Sequence, residues 1–566
     1  MGSPRATELR RLTLTAARNG YVSFYLAVKE PRPGPYSLAV SFNSGATSIQ
    51  SELFKAWYHQ FRPRRTYVPD ALIPVLNPAK GQLPDPDNRV PDQSCQTFWV
   101  DLWVPPDLPP GLHRGRAVAE ARGKKVVLEI QVTVLQATIP DEDALTIDHN
   151  SYGTGWMGPL YPKLSRSEGE GFYSSDALFK LIHAYHRLFY EHRGTFHQLG
   201  YGHGGKVGPE FAPVLTGEGR KRHIASWDLF DRHYAPLLDG SAFRDTRRGP
   251  RPIPFVYLPI NPEWPASFLN WGEPGYETEF VTVLGEMEKH FRETGWTATN
   301  FEMFFNHKKR YKGFHWDGDE TRFAKDDEPM LEYSRLLKKA LPPGSPVQFV
   351  FRHDASWRLE QQFQSLAGAV NFWVCSRAIL GWLPEELKTV KQRGDIVWIY
   401  SGAPSISSTA SAIIENPLRA WMWNVDGYIH WLAVSPSEDP WFDSGGEETC
   451  LVYPGERFGI AGPIPSIRLK VQRNFAQDLA LLKILEHTGS GAILRQELAR
   501  RINGSKLEDW WTPRPAMADL PSEEWTNYEI EGGVEPNLHV FQNWAPQFWE
   551  GIRRYILDLA EGDKKQ

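Results

Sequence analysis

The feature that most constrains the fold begins near residue 141, where short apolar runs start to alternate with amphipathic stretches. The runs have the length of buried strands, and the stretches have the spacing of helices that bury one face. Strands that alternate with helices form parallel sheets covered by those helices. Eight strands are predicted, at Ala144–His149, Thr195–Gly200, Ile253–Pro259, Asn300–Phe305, Val347–Arg352, Asn371–Cys375, Asp395–Tyr400 and Gly427–Val434.

Eight evenly spaced units predict a (β/α)8 barrel, similar to a TIM barrel, over residues 141–490. The alternative is a doubly wound open sheet, but the chain has no glycine-rich dinucleotide or P-loop fingerprint to favour it. The helices are predicted at Ser174–His192, Glu277–Glu293, Met330–Leu341, Leu359–Ala367, Leu383–Arg393 and Ile467–His487.

The residues before the barrel have a different pattern. Polar and apolar side chains alternate over runs such as Tyr21–Val28, Thr97–Val104 and Lys125–Leu135, separated by turns rich in Pro and Gly. This pattern predicts an antiparallel β-sandwich domain at residues 1–140. Residues 491–566 are predicted to form a C-terminal extension that packs on the barrel and ends in a helix at Pro546–Leu559.

Composition narrows the class of partner. The 566 residues are 41% hydrophobic and 23% charged, which is typical of a soluble globular protein. A net charge of −5 without a basic run argues against nucleic acid as the partner. No stretch approaches the ~20 consecutive apolar residues of a membrane span, so no membrane association is expected. The oligomeric state stays open.

Cysteine usage and the N-terminus add two expectations. Cys95, Cys375 and Cys450 are odd in number and far apart, which suggests neither a disulfide framework nor a zinc cluster. No cofactor and no metal are expected. The first residues lack an apolar signal region, so the protein is expected to be cytoplasmic, or secreted or periplasmic with its leader removed.

Aromatic residues are unusually abundant, at 13% of the chain with 22 Trp. Aromatic faces stack on the apolar faces of sugar rings, which indicates a carbohydrate partner. The alternative is that these rings fill a large core and the layers of a barrel. Several Trp lie at predicted strand ends, which favours the sugar interpretation.

Barrel active sites form where the strands end and the following loops begin. Polar, ionisable and aromatic residues recur at these ends, and a histidine there is more often a packing residue than a ligand. Arg352 would bind an anionic substrate group or hold site carboxylates as ion pairs. The strand-end residues are Asp148, His149, Asn150, Tyr152, His203, Tyr257, Asn306, His307, Lys308, Arg352, His353, Asp354, Tyr400 and Trp431.

The loop after the fourth strand places Asp317, Asp319 and Glu320 beside Trp316. Paired carboxylates next to an aromatic ring suit glycosidic bond cleavage, which needs one acid to protonate the leaving oxygen and one carboxylate to stabilise charge. A rival acidic cluster, Asp326-Asp327-Glu328-Pro329, falls where the next helix begins, and helix capping explains it well.

The substrate-binding residues predicted around this pair are Asp317, Trp316, Asn306, His149, Tyr257, Arg352, Trp398, Tyr400 and Trp431. For the aromatic residues, the alternative is that they form the inner layer of the barrel. Trp423 is a further aromatic residue that could line the site, but for Trp423 the barrel-layer alternative is favoured.

Several blocks in the second half of the barrel resemble a known family. They are Trp398-Ile-Tyr-Ser-Gly402, Asn416-Pro-Leu-Arg-Ala-Trp-Met-Trp423, Gly427-Tyr-Ile-His-Trp431, Asp439-Pro-Trp441, Tyr453-Pro-Gly455 and Gly462-Pro-Ile-Pro-Ser-Ile-Arg468. In order and spacing they are similar to glycoside hydrolase family 123 and to the associated DUF4091-type bacterial proteins. The start of the sandwich, Ala16–Phe24, also resembles that family.

The resemblance implies a retaining β-N-acetylgalactosaminidase-type mechanism. An adjacent Asp-Glu pair follows the fourth barrel strand in this family, and Asp319-Glu320 matches it in position and order. By this resemblance Glu320 is the general acid/base, and Asp319 orients the 2-acetamido group of the substrate, which acts as nucleophile.

The chain departs from the family pattern, which commonly reads Asp-Glu-Pro close to the strand. Here Asp319-Glu320-Thr321 follows an inserted loop, Lys308–His315, while Asp327-Glu328-Pro329 reproduces the tripeptide farther on. Asp319-Glu320 is preferred because Trp316 and Gly318 suit a tight, aromatic-lined loop.

Two alternatives stay open. The first is a glycosidase that acts on a non-acetamido sugar with two enzyme carboxylates, Asp317 being one candidate nucleophile. The second is a non-catalytic carbohydrate-binding protein on a degenerate barrel.

Overall fold

The computed structural model describes residues 10–43, 47–61, 66–267, 272–321, 323–356, 359–376, 384–434, 439–442, 450–487, 491–510 and 545–562. Residues 511–544 of the predicted C-terminal extension therefore lie outside the described ranges.

The N-terminal region is the predicted β-sandwich. One sheet has five strands and the other has four, and alternating side chains such as Val100, Leu102, Ile130 and Val132 form the core between them. All neighbouring strands are antiparallel except the first and the ninth, which pair in parallel. The strands are Arg11–Arg18, Gly20–Lys29, Gly34–Phe42, Gln50–Phe61, Thr66–Val75, Ala79–Leu83, Cys95–Val104, Gly111–Ala121 and Lys124–Thr138.

The predicted barrel is also confirmed. Its eight strands are parallel and pair in the order 2-1-8-7-6-5-4-3, so within the described residues the second and third strands end the hydrogen-bonded row of a nearly closed barrel. In chain order the barrel strands are Thr146–Tyr152, Thr195–Leu199, Phe255–Tyr257, Asn300–Phe304, Gln348–Ala355, Phe372–Ser376, Ile396–Gly402 and Gly427–Trp431.

Helices surround the barrel where the amphipathic stretches predict them. Helix Asp176–Glu191, for example, begins at Ser175, whose hydroxyl accepts a hydrogen bond from the Leu178 amide, and it buries one apolar face. The α-helices are Met157–Leu160, Pro162–Glu168, Asp176–Glu191, Asp228–Leu238, Tyr276–Thr294, Lys309–Lys312, Asp327–Ala340, Leu359–Ser365, Pro384–Gln392, Glu415–Met422, Ile467–Leu485, Gly491–Asn503 and Pro546–Gly562. Short hairpins pair Val214–Thr216 with His223–Ser226 and Val452–Pro454 with Pro463–Pro465.

Helix Ile467–Leu485 joins the barrel to the sandwich through buried ion pairs. Asp101, on a sandwich strand, accepts hydrogen bonds from Lys470 at 2.8 Å and from both terminal nitrogens of Arg473 at 2.7 and 2.8 Å. Asp70, on another strand of the same sheet, accepts two from Arg468 at 2.8 and 3.1 Å. These pairs hold the sandwich against the barrel in one orientation.

The final helix, Pro546–Gly562, packs on the same joining helix and on the sandwich. Arg553 lies 3.4 Å from Asp478, and Arg554 donates a hydrogen bond to Thr15. The predicted domain boundaries at 140/141 and 490/491 stay predictions. In the described part of the chain, every helix is too short or too polar to cross a bilayer.

Candidate active site at the carboxyl end of the barrel

The loop after the fourth barrel strand turns sharply back over the barrel mouth. The Gly318 amide donates to the His307 carbonyl at 3.0 Å, and a Cβ atom at Gly318 would lie 2.5 Å from Cβ of Phe305. Only glycine therefore fits at this position. Glu320 has a φ of 47°, which is rare for a residue with a side chain and is a feature of functional loops. This turn carries Asp319 and Glu320 to the carboxyl end of the barrel.

Asp319 is 8% exposed and lies between two cationic or ionisable groups. Its Oδ2 atom lies 3.1 Å from Lys308 Nζ and 3.4 Å from His203 Nε2. Burial opposes ionisation, but the contact with His203 and the charge of Lys308 outweigh it and lower the pKa of Asp319. Asp319 is therefore an ionised carboxylate at neutral pH.

Glu320 is more open to solvent, and three side chains fix its position. Ser356 Oγ donates to Oε1 at 3.1 Å, and the Tyr400 hydroxyl donates to the same oxygen. The Ser356 proton can instead go to the Tyr400 hydroxyl oxygen, which lies 2.7 Å from Ser356 Oγ. The second oxygen, Oε2, lies 3.5 Å from Lys308 Nζ. One face of this carboxyl group is thus anchored, while the other points toward the ammonium shared with Asp319.

A third carboxylate, Asp354, ends the fifth barrel strand beside this pair. Arg352 holds it from below through two hydrogen bonds, at 2.7 and 3.0 Å. Burial raises the pKa of Asp354 to about 7, since Arg352 offsets only part of the desolvation and the charges of Asp319 and Glu320 raise it further. The mouth therefore gathers three carboxyl groups around few cations.

The barrel floor beneath Asp354 is a continuous row of buried charges. Arg352 lies 3.3 Å from Glu302, which lies 3.1 Å from His197, and His197 lies 2.5 Å from Asp148. Burial alone would lower the pKa of His197, but Glu302 and Asp148 outweigh it and raise the pKa to about 9. Cations and anions alternate along the row.

Tyr257 completes this floor. Its hydroxyl accepts a hydrogen bond from Arg352 at 2.5 Å, and its ring stacks on His197 with centroids 3.8 Å apart. The two predicted substrate-binding residues Tyr257 and Arg352 are thus brought under the site, where they hold Asp354 in place.

Three more predicted residues come together at the rim. The Asn306 side chain donates to the Tyr152 hydroxyl at 3.4 Å, and the ring of Trp431 lies 5.3 Å from that of Tyr152. Tyr400 binds Glu320, as described above. These side chains end the first, fourth, seventh and eighth strands, so strands from opposite sides of the barrel contribute to one mouth.

Two predicted residues lie elsewhere in the barrel. His149 faces outward, where it stacks on Phe189 at 4.3 Å and contacts Gln472, and burial lowers its pKa to about 3. Trp398 is fully buried in an apolar layer with Phe255 and Phe372, as the barrel-core alternative expects. The structure does not bring either side chain to the mouth.

Two residues of the fourth-strand loop support it from behind. Trp316 is buried against Phe305 and His307, with ring centroids 5.2 and 4.3 Å apart. Asp317 accepts a hydrogen bond from the Lys309 amide at 2.7 Å. Both side chains shape the loop that carries Asp319 and Glu320, away from the open mouth.

The rival acidic cluster begins a helix outside the barrel. Asp327 is buried and accepts a hydrogen bond from Ser365 at 2.8 Å, while Glu328 is exposed on the first helical turn. Both carboxylates lie in the first helical turn, where they complement the helix dipole, but the helix has no side-chain cap hydrogen bond.

Sequence reasoning missed Ser356 and noted Lys308, His203, Tyr152 and Asp354 only as strand-end residues. Ser356 directly follows the fifth strand, so its position at a strand end was the available signal.

Comparisons with known proteins were made at the level of sequence and of structure. No family model and no curated protein matches the sequence. Among solved structures, a family 123 glycoside hydrolase from Clostridium perfringens, studied for glycolipid glycan hydrolysis, matches with a TM-score of 0.65 and 13% identity. The match covers 98% of this chain and 94% of that one. The two chains share one fold. The predicted resemblance to a family 123 glycoside hydrolase is therefore confirmed at the level of fold.

Two further solved structures match more weakly. A Clostridium thermocellum endo-1,4-β-D-xylanase 10B has a TM-score of 0.32 and 10% identity, with 79% of this chain and 86% of that chain covered. A Bacteroides uniformis β-glucuronidase has a TM-score of 0.28 and 11% identity, with 84% and 49% covered.

Proposed function

We propose that this protein is a glycoside hydrolase and that its catalytic groups are Glu320 and Asp319. The observation that carries the proposal is the adjacent pair of carboxylates at the carboxyl end of a barrel whose fold matches a family 123 glycoside hydrolase. Barrel enzymes build their active sites at this end. A pair of carboxyl groups with different surroundings suits the separate roles that glycosidic cleavage requires.

Glu320 is proposed as the general acid/base. Its Oε1 atom is fixed by Ser356 and Tyr400, so the carboxyl group has a defined direction relative to a bound glycosidic oxygen. A positioned carboxyl group of this kind contributes about 10²- to 10⁴-fold to a rate by proton transfer. Glu320 would protonate the leaving oxygen and then deprotonate the incoming water.

Asp319 is proposed to orient a substrate 2-acetamido group. Its lowered pKa keeps it ionised, so it accepts a hydrogen bond from the acetamido N–H. The negative charge also stabilises the positive charge that develops when the acetamido oxygen attacks the anomeric carbon. This substrate-assisted, retaining route needs no enzyme nucleophile. A hexosaminide in a bacterial or environmental glycan is the proposed substrate.

Asp354 favours a second candidate function within the same class. A third carboxylate beside Asp319 and Glu320 supplies a second enzyme carboxylate for a sugar that has no acetamido group. In that case Asp319 or Asp354 would stabilise or trap the glycosyl cation, and the 2-acetamido requirement would disappear.

One experiment tests the class and separates the two routes. Wild-type protein is incubated with a panel of aryl glycosides, and release of the aryl group is followed with and without an N-acetyl-thiazoline inhibitor. Substrate-assisted hydrolysis predicts release from N-acetylhexosaminides and tight inhibition by the thiazoline, which mimics the oxazoline intermediate. Release from non-acetamido sugars without inhibition supports the two-carboxylate route. Absence of release from every glycoside contradicts the proposal.

A further inference from the structure

Tyr311 presents its ring to solvent at the edge of the candidate site. It lies on the short helix Lys309–Lys312, in the loop between the fourth strand and Asp319, and it is 55% exposed. Its ring centroid lies 5.0 Å from that of His203. His203 in turn contacts Asp319 at 3.4 Å. The exposed ring is thus separated from a proposed catalytic carboxylate by a single side chain.

The loop around Tyr311 is anchored on both sides, so the ring is held outward. Before it, the Lys308 amide donates to the His203 carbonyl at 3.2 Å, and the Lys309 amide donates to Asp317. After it, Lys312 forms an ion pair with Glu263 from the loop after the third strand. Phe314 then packs on His307 at 4.8 Å. These contacts fix the backbone on which Tyr311 stands.

An exposed ring is uncommon in this molecule. Of the aromatic side chains that the structure describes, the exposed ones are Tyr25, Tyr173 and Tyr311. Tyr25 lies on a sandwich strand. Tyr173 lies on a short helical turn, and its hydroxyl donates a hydrogen bond to the Gly155 carbonyl. Tyr311 alone of these three stands at the barrel mouth. Aromatic side chains are a main part of the lining of ligand sites, so a ring held beside the candidate carboxylates is placed to contact a ligand.

We propose that Tyr311 forms a leaving-group subsite, where its ring stacks on the pyranose on the far side of the scissile bond. This inference rests on the proposed function. The sugar that is cleaved lies over the buried groups Asp319 and Asp354, so its neighbour across the bond extends toward solvent and the rim. The negative face of an aromatic ring attracts the C–H groups of a sugar face, as it attracts other positive edges.

The subsite makes the protein selective for oligosaccharides over simple glycosides. The Arg310 guanidinium lies 5.1 Å from the Tyr311 ring centroid and covers part of it. A stacked sugar would use the remaining exposed face. The substrate class is thus a glycan with a hexopyranose, rather than a small alcohol, as the leaving group.

The test compares two substrates that share the cleaved sugar, which is the sugar that wild type releases in the aryl glycoside panel. One is its methyl glycoside and the other is its disaccharide with galactose as leaving group. For Tyr311→Ala, we expect kcat/KM for the disaccharide to fall about 5- to 10-fold, the range for loss of one aromatic stacking contact. The methyl glycoside should change less than about twofold. Tyr311→Phe, which keeps the ring, should match wild type on both substrates.

Equal effects of Tyr311→Ala on both substrates, or no effect on either, would overturn the inference. Failure of the proposed function looks different, because it appears as wild-type release that Glu320→Gln leaves unchanged, or as no release at all. In either case the proposed leaving-group subsite is rejected together with the proposed function. The comparison of Tyr311 variants is therefore made on release that Glu320→Gln abolishes.

Discussion

Two of the places where this molecule buries carboxylates differ in the charges around them. At the joint between sandwich and barrel, Asp101 receives hydrogen bonds from Lys470, Arg473, Ser23 and Trp99. Burial would raise the pKa of Asp101, but Arg473 and Lys470 outweigh it and hold the pKa well below the usual range. Cations and donors exceed what this single carboxylate can use.

At the barrel mouth, several carboxyl groups share their cationic or ionisable partners. Asp319, Glu320 and Asp354 share Lys308, Arg352 and His203, and the pKa of Asp354 is raised to about 7. A saturated carboxylate fixes structure, because nothing more can bind to it. Asp319 and Glu320 share one ammonium group, that of Lys308, so both carboxylates keep capacity for a ligand. The Asp101 cluster is therefore a structural joint, whereas the carboxylates at the barrel mouth are suited to bind a ligand.

The largest expected effect comes from breaking the joint. Replacing Asp101 by Ala leaves Lys470 and Arg473 as unpaired buried charges, so the free energy of unfolding should fall by about 3–5 kcal/mol. Urea denaturation measures this loss. Asp101→Asn keeps two hydrogen-bond acceptor sites and should lose less, which provides a variant that still folds. Glycoside hydrolysis per folded molecule should stay close to wild type. If Asp101→Ala unfolds at the same urea concentration as wild type, the joint does not stabilise the molecule.

A substitution at the mouth should lower activity and leave stability nearly unchanged. Asp319→Asn removes the charge that is proposed to stabilise the developing cation, so kcat/KM should fall about 10²- to 10³-fold, as when one electrostatic stabiliser is lost. The midpoint of urea unfolding should change little. Asp317→Asn on the same loop is the matched control, because Asp317 binds the Lys309 amide away from the mouth. Equal losses in both variants would show that the loop, rather than the Asp319 charge, is responsible.

A third expected effect is in the pH dependence of stability. The folded pKa of Asp354 is raised above its unfolded value of about 4, so between these values the folded chain holds more protons at this site. Its contribution to stability is therefore complete below about pH 4 and is lost as pH rises toward about 7. Asp354→Asn should flatten this decline relative to wild type. Unfolding free energies measured from pH 4 to 8 check it, and parallel curves for the two proteins would contradict the raised pKa.

Sequence reasoning could place the barrel strands because buried parallel strands are near-continuous apolar runs of about five residues, such as Phe372–Ser376. It could also place Asp319 and Glu320, because a loop after such a strand must lie at the carboxyl end. It could not decide which side chains face inward. Asp148 lies on the floor, and its neighbour His149 packs on helix Asp176–Glu191, since successive residues of a strand point to opposite faces.

The sequence also could not predict how far along the barrel axis each inward-facing side chain lies. Trp398 and Tyr400 are two residues apart on one strand and face the same side, yet Trp398 fills a closed apolar layer and Tyr400 binds Glu320. A shift of two residues moves a side chain by about 6.6 Å along a strand, enough to separate a core layer from the mouth. That distance depends on the tilt and stagger of all eight strands, which no single segment encodes.

The most direct test of the account compares Glu320→Gln with Glu328→Gln on the aryl glycoside that wild type cleaves best. Each substitution removes one carboxylate, at the barrel mouth in the first case and on an exposed helical turn in the second. We expect Glu320→Gln to lower kcat/KM by about 10²-fold or more with an unchanged unfolding midpoint, while Glu328→Gln matches wild type. Full activity in Glu320→Gln together with an inactive Glu328→Gln would contradict it and move the catalytic pair to Asp327-Glu328.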